Sequence, residues 1–136
     1  MHQKIPTVNF NSYTKITIKR YASRGFTAYG TAKAALIQLT RHLAAELAPR
    51  IRVNSIAPGA IVTGALAGIL TEDLKEAMVA GTPLRRFGMV DDVAAAAVYL
   101  CSPASSYVTG QVLPVDGGVQ SSSLDLGLPD LGPSVR

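Results

Sequence analysis

Residues 28–59 read AYGTAKAALIQLTRHLAAELAPRIRVNSIAPG, and this stretch decides the fold class. Ala32, Leu36, Leu39, Leu43 and Leu47 recur at helical spacing and predict one apolar face on a helix from Ala28 to Leu47. The helix should end at Ala48, because Pro49 disfavours helix in the residue before it. Ile51, Val53 and Ile56 then predict a strand across IRVNSIAPG, punctuated by Pro58-Gly59. A helix that feeds directly into a strand ending in Pro-Gly is one step of an α/β winding.

Working outward, residues 60–70 lack periodicity and read as a flexible small-residue segment. Thr71, followed by Glu72 and Asp73, marks a helix start, and Gly81 a stop. A second alanine-rich helix spans Asp91 to Leu100, again opened by an acidic pair. QVLPVDGG (111–118) is the last strand, with Gly117-Gly118 as its exit. Upstream, IPTVNF (5–10) suits a short strand, and Thr14 to Tyr21 is ambiguous. The residues after position 120, rich in Ser, Pro and Gly, read as an extended tail. The order helix, strand, helix, helix, strand predicts part of a parallel α/β sheet rather than a bundle.

Composition bounds the function classes. The chain has 136 residues, 48% of them hydrophobic, enough for one modest core and too many for a disordered tail. It contains no apolar run of transmembrane length, and MHQKIPTVNF has no apolar core of a secretory signal. A lone Cys101 suits a reducing cytoplasm, and with only His2 and His42 beside it a structural zinc site is not expected. The net charge of +4 comes entirely from Lys4, Lys15, Lys19 and Arg20, since residues 1–20 hold no acid. The remaining residues are balanced and show no basic stripe, which argues against nucleic acid as a partner. Residues 1–20 also contain no Ala, Gly or Leu, so a compositional boundary falls there. The expected organisation is an atypical basic leader at 1–19, a folded body at 20–120 and a tail at 121–136.

The chemistry is concentrated at Tyr29 and Lys33. Standing four residues apart near a helix start, they share a face. An ammonium beside a phenol favours the phenolate, and such a tyrosine can give or take a proton at a carbonyl or alcohol oxygen. Alone, the pair better describes a solvated helix face with a lysine lying along a tyrosine. Its context is a small-residue helix, then a strand ending in Pro58-Gly59 at the edge where α/β sheets bind ligands.

With YVTGQVLPVDGG (107–118) added, the chain resembles the C-terminal half of a short-chain dehydrogenase/reductase. The family's Tyr-x-x-x-Lys signature is matched by Tyr29 and Lys33, and its Pro-Gly-x-x-x-Thr turn by Pro58, Gly59 and Thr63, with Ile61 between. The resemblance covers roughly Arg20 to Gly118. It implies a Rossmann-type doubly wound parallel sheet, here its C-terminal portion, with the N-terminal dinucleotide half missing. It also implies an NAD- or NADP-dependent oxidoreductase that interconverts an alcohol and a carbonyl. Tyr29 would be the general acid/base, and Lys33 would hold the nicotinamide ribose. The Ile61 amide and the Thr63 hydroxyl would contact the carboxamide or pyrophosphate, and residues from about Ala65 to Arg86 would cover the substrate.

The place of the family's serine is taken by Ile16; Ser12 is an alternative four residues upstream, and Ser23 reads as a loop residue. The expected partners are a small carbonyl or alcohol substrate and other copies or relatives of the chain, with no nucleic acid and no membrane. The competing expectation is a truncated, non-catalytic fragment that associates with a full-length subunit. Elsewhere, Arg85-Arg86 reads as a solvated loop pair, Cys101 as a small buried residue, His42 as surface or packing, and Asp116 as a cap on the Gly117-Gly118 turn.

Overall fold

The protein is described by a computed structural model over residues 25–63 and 70–119. The expected strand at 5–10, the residues Ser12, Ile16 and Ser23, and the tail at 121–136 lie outside the described residues. Helix α1 (Thr27–Leu47) leads into strand β1 (Ser55–Pro58). Helices α2 (Glu72–Ala80) and α3 (Val90–Cys101) follow, then a 3-10 turn (Pro103–Ser105) and strand β2 (Val112–Val115). β1 and β2 pair in parallel, with Ser55 opposite Val112 and Pro58 opposite Val115. The α/β order expected from the sequence is present.

Local chemistry sets the boundaries. α1 stops where Ala48 turns extended, at ψ 150°, ahead of Pro49. The Thr71 hydroxyl caps α2 by accepting from the Leu74 N–H, and the Gly81 N–H closes the other end on the Ala77 carbonyl. Ser55 in β1 and Gly59 just past its end donate to the Gln111 and Val115 carbonyls. Pro58 is out of phase with both, so its missing N–H removes no bond from this pair.

Three expectations are corrected. The strand does not begin at Ile51, because the Asn54 side chain takes over backbone partners there. It donates to the Val108 carbonyl and accepts from the Gln111 N–H. The buried stripe of α1 is not Ala32 and Leu39, which are exposed, but Thr40 and Ala44. Small residues there let the helix approach the strands closely: a Cβ placed on Gly110 would stand 3.4 Å from that of Ala44. Cys101, expected to be buried, is exposed at the end of α3. The core is correspondingly small, with Ala57, Ile61, Met78 and Ala97 buried alongside Ala44.

Candidate functional site

The direction of α1 fixes which end of the sheet the tyrosine meets. Thr40 touches Ser55, the first residue of β1, while Ala44, one turn later, lies by Gly110, two residues before β2 begins. Moving toward the C-terminus of α1 therefore means moving back along the strands. The helix runs antiparallel to them, and its N-terminal end stands at their carboxyl edge.

Heights follow from standard rises. From Thr40 to Lys33 is about 10 Å along the helix and to Tyr29 about 16 Å. From Ser55 to Gly59 is about 13 Å along the strand. Gly59 thus stands at a height between the two side chains. Tyr29, Lys33 and Thr40 also fall within about 40° around the helix axis, so they form one stripe on the side of β1.

At that end the Lys33 ammonium lies 5.4 Å from the centre of the Tyr29 ring. Phe26 meets the same ring edge-on, with centroids 6.1 Å apart. Such contacts orient the ring without burying it. Tyr29 remains 39% exposed.

Beyond β1 the chain makes a second attachment. Ile61 pairs with Gly88 through the Val62 N–H to the Gly88 carbonyl and the Gly88 N–H to the Ala60 carbonyl. The Ile61 amide, out of phase with these bonds, points away from Gly88. Thr63 is half-buried at the end of this stretch. Of the expected site residues, Tyr29 and Lys33 are brought into contact, and Pro58, Gly59, Ile61 and Thr63 follow one another along the exit from β1.

A cavity of about 450 Å³ also opens at the carboxyl edge, between Gly59, Val115 and Gly118 on the strand side and Leu84, Arg86 and Asp92 opposite. It shares Gly59 with the expected site but does not reach Tyr29 or Lys33. The reactive side chains and this concavity are neighbouring features, and the chemistry rests on the side chains. Arg86, expected in a solvated loop, has a partner that its sequence neighbourhood does not reveal. Asp92 holds it in an ion pair and also accepts from the Met89 N–H. Arg86, then Met89, hold the Asp92 carboxyl well below the usual range, at about 2. Asp116 does cap the last turn, where its carboxylate accepts from the Gly118 N–H, and His42 is exposed beside Gln38. Among the described residues no acidic, histidine or cysteine cluster is arranged to hold a metal, and no helix is long and apolar enough to cross a membrane.

Comparison with known proteins gives a family match. A family model described as enoyl-(acyl carrier protein) reductase matches residues 5–120, across the compositional boundary near residue 20. An uncharacterized oxidoreductase of Mycobacterium tuberculosis is 57% identical over 116 residues, covering 85% of this chain and 44% of that protein. The 7alpha-hydroxysteroid dehydrogenase of Escherichia coli is 50% identical over 93 residues, covering 68% of this chain and 36% of the relative. A solved 7 alpha-hydroxysteroid dehydrogenase, complexed with NADH and 7-oxo glycochenodeoxycholic acid, superposes with a TM-score of 0.72 at 43% identity. That superposition covers 77% of this chain and 42% of the other. The chain spans less than half the length of these relatives.

Proposed function

The chain belongs to the short-chain dehydrogenase/reductase family, a family of Rossmann-type oxidoreductases, and on that footing we propose that it carries the proton-transfer half of an NAD- or NADP-dependent alcohol/carbonyl oxidoreductase. One observation carries the reading: the Lys33 ammonium stands over the Tyr29 ring at the carboxyl edge of the sheet. In reduction the Tyr29 phenol gives its proton to the carbonyl oxygen; in oxidation the phenolate takes it from the alcohol. Lys33 would hold the phenolate charge and donate to ribose hydroxyls.

The donors present fit the ribose and carboxamide end of a nicotinamide nucleotide. Tyr29 and Lys33 face one side of α1, and a Cβ on Gly30, beside the tyrosine, would meet nothing within 4 Å. The Ile61 amide and the Thr63 hydroxyl, on the exit from β1, would hold the carboxamide or pyrophosphate. When bound, the nucleotide supplies or accepts the hydride. The solved relative that holds NADH supports this class of cofactor, and its ligand supports a carbonyl substrate. Ser12 is the proposed second hydrogen-bond donor to the substrate oxygen.

The test is a titration of the chain with NADH and with NADPH, following nicotinamide fluorescence. Saturable binding that is lost when Tyr29→Phe and Lys33→Ala are combined supports the reading. No binding up to millimolar nucleotide overturns it.

A second reading, association without catalysis, is favoured by exposed apolar side chains: Leu39 on α1 is 49% exposed and Val98 on α3 is 69% exposed. Co-purification with a full-length family member and no nucleotide binding would support it. A monomer by light scattering that fails to bind such a subunit would overturn it.

A further inference from the structure

Thr40 and Ser55 are both buried, at 4% and 6% exposure, and their hydroxyl oxygens are 2.5 Å apart. The Thr40 hydroxyl donates to the Leu36 carbonyl at 2.9 Å. Its one proton is therefore committed, and Ser55 must be the donor in the hydroxyl pair. The Ser55 backbone is fixed as well, through its N–H to the Gln111 carbonyl in the strand pairing. A continuous hydrogen-bonded line runs from the α1 backbone at Leu36, through Thr40 and Ser55, into the sheet.

This line ties together the two elements that carry the proposed site. Tyr29 and Lys33 are on α1, in the same stripe as Thr40, and Pro58-Gly59 is on β1, a few residues beyond Ser55. The buried apolar residues nearest the tie in sequence, Ala44 on α1 and Ala57 on β1, are small, and small side chains resist sliding weakly. A directional bond does resist it. An axial slip of one residue rise, about 1.5 Å, would lengthen and tilt this bond, and a hydrogen bond weakens as it leaves linearity. It would shift Tyr29 by the same amount against Gly59.

We infer that Thr40 and Ser55 are positioning residues, whose hydroxyl pair sets the height of Tyr29 and Lys33 against the Pro58-Gly59 turn. The inference rests on the role proposed above for Tyr29 and Lys33. Neither hydroxyl touches a reacting atom; both are buried within the interface between α1 and β1.

The test uses the whole chain with carbon-labelled tyrosine. The Tyr29 ring resonances are assigned by their loss in Tyr29→Phe, and NADH binding is followed in parallel. Ser55→Ala should displace the Tyr29 resonances and weaken NADH binding about three- to tenfold, the equivalent of one net hydrogen bond. Combining it with Thr40→Val should add little, because both changes break the same tie. Thr40→Ser, which keeps the hydroxyl, should restore the wild-type values.

Tyr29 resonances and NADH affinity that stay unchanged in folded Ser55→Ala would overturn the inference, whatever happens to its melting temperature. If Thr40→Val fails to fold, Ser55→Ala decides alone, since it leaves the Thr40 to Leu36 bond intact. If the wild-type chain binds no NADH, the proposed function fails, and the Tyr29 resonances alone decide the positioning role.

Discussion

Arg86 and Asp92 meet fork to fork, with Arg86 Nη1 2.8 Å from Asp92 Oδ2 and Nη2 3.1 Å from Oδ1. The same Oδ2 accepts from the Met89 N–H at 2.7 Å, so one carboxylate both pairs with the arginine and caps α3. Through it the segment before α3, which also pairs with Ile61 by way of Gly88, is fixed to the helix N-terminus. The exit from β1 is thereby braced from its far side.

That pair predicts a specific acid sensitivity. The Asp92 carboxyl is lowered from 3.8 to about 2 in the folded chain, so the unfolded chain takes up the proton at the higher pH. The stabilisation is therefore complete above about pH 4 and is lost as pH falls toward 2. Both side chains are partly exposed, so the effect is modest and weakens in salt. Asp92→Asn, which can still accept from Met89, should flatten this part of the stability curve. Asp92→Ala, which loses the cap as well, should lower the melting temperature further at pH 7. Thermal unfolding between pH 2 and 7 measures both.

Gly59 gives a steric prediction. A Cβ there would stand 2.8 Å from the Asp116 Cα and 3.1 Å from its carbonyl oxygen. Those are backbone atoms of the neighbouring strand exit, so relief requires the ends of β1 and β2 to separate. Gly59→Ala should cost about 1–3 kcal/mol in urea unfolding, the usual penalty for an intruding methylene. It should also weaken nucleotide binding, since the displaced exit carries Ile61 and Thr63. A variant of wild-type stability would show that the strand ends are not held this closely.

The features legible in the sequence are those with local causes. The end of α1 at Pro49, the Thr71 cap of α2 and the Asp116 cap at Gly118 each depend on residues a few positions apart. The contact between Tyr29 and Lys33 is one turn of helix, and spacing alone announced it. The Thr40–Ser55 pair spans 15 residues, and nothing in either residue's neighbourhood points to the other. Hydrophobicity points to Leu39 as part of the buried face, whereas close approach to the strands selects small Thr40 and Ala44. The strand begins later than its apolar pattern suggests because Asn54, an ordinary polar position in sequence, binds backbone groups 54 and 57 residues away.

Arg52 carries a prediction of the same long-range kind. Its guanidinium donates to the Leu100 carbonyl at 2.8 Å and the Val108 carbonyl at 3.1 Å, with a longer contact to Ser102 at 3.5 Å. It therefore gathers the end of α3 and the approach to β2 onto the residues before β1. Arg52→Ala leaves those carbonyls without their charged donor and should destabilise the chain by about 1–3 kcal/mol. Arg52→Lys should recover only part of the loss, because a single ammonium cannot span carbonyls that the planar fork reaches from two nitrogens. Equal stability of the alanine and wild-type chains in urea unfolding would show that the fork contributes nothing net.

The division of labour between Tyr29 and Lys33 is separable by kinetics. Tyr29 is partly exposed, and its ring remains as phenylalanine, so Tyr29→Phe should change stability little. It removes the one proton the reaction needs, and turnover of a carbonyl substrate should fall by about a hundred- to ten-thousandfold with NADH affinity nearly intact. Lys33→Met keeps a side chain of similar length over the ring but loses the charge. It should weaken nucleotide binding as well as turnover, since the same ammonium serves ribose and phenolate. Raising the pH should not rescue Tyr29→Phe, which has no proton to exchange at that position. A Tyr29→Phe chain with wild-type turnover would remove the tyrosine from the reaction altogether.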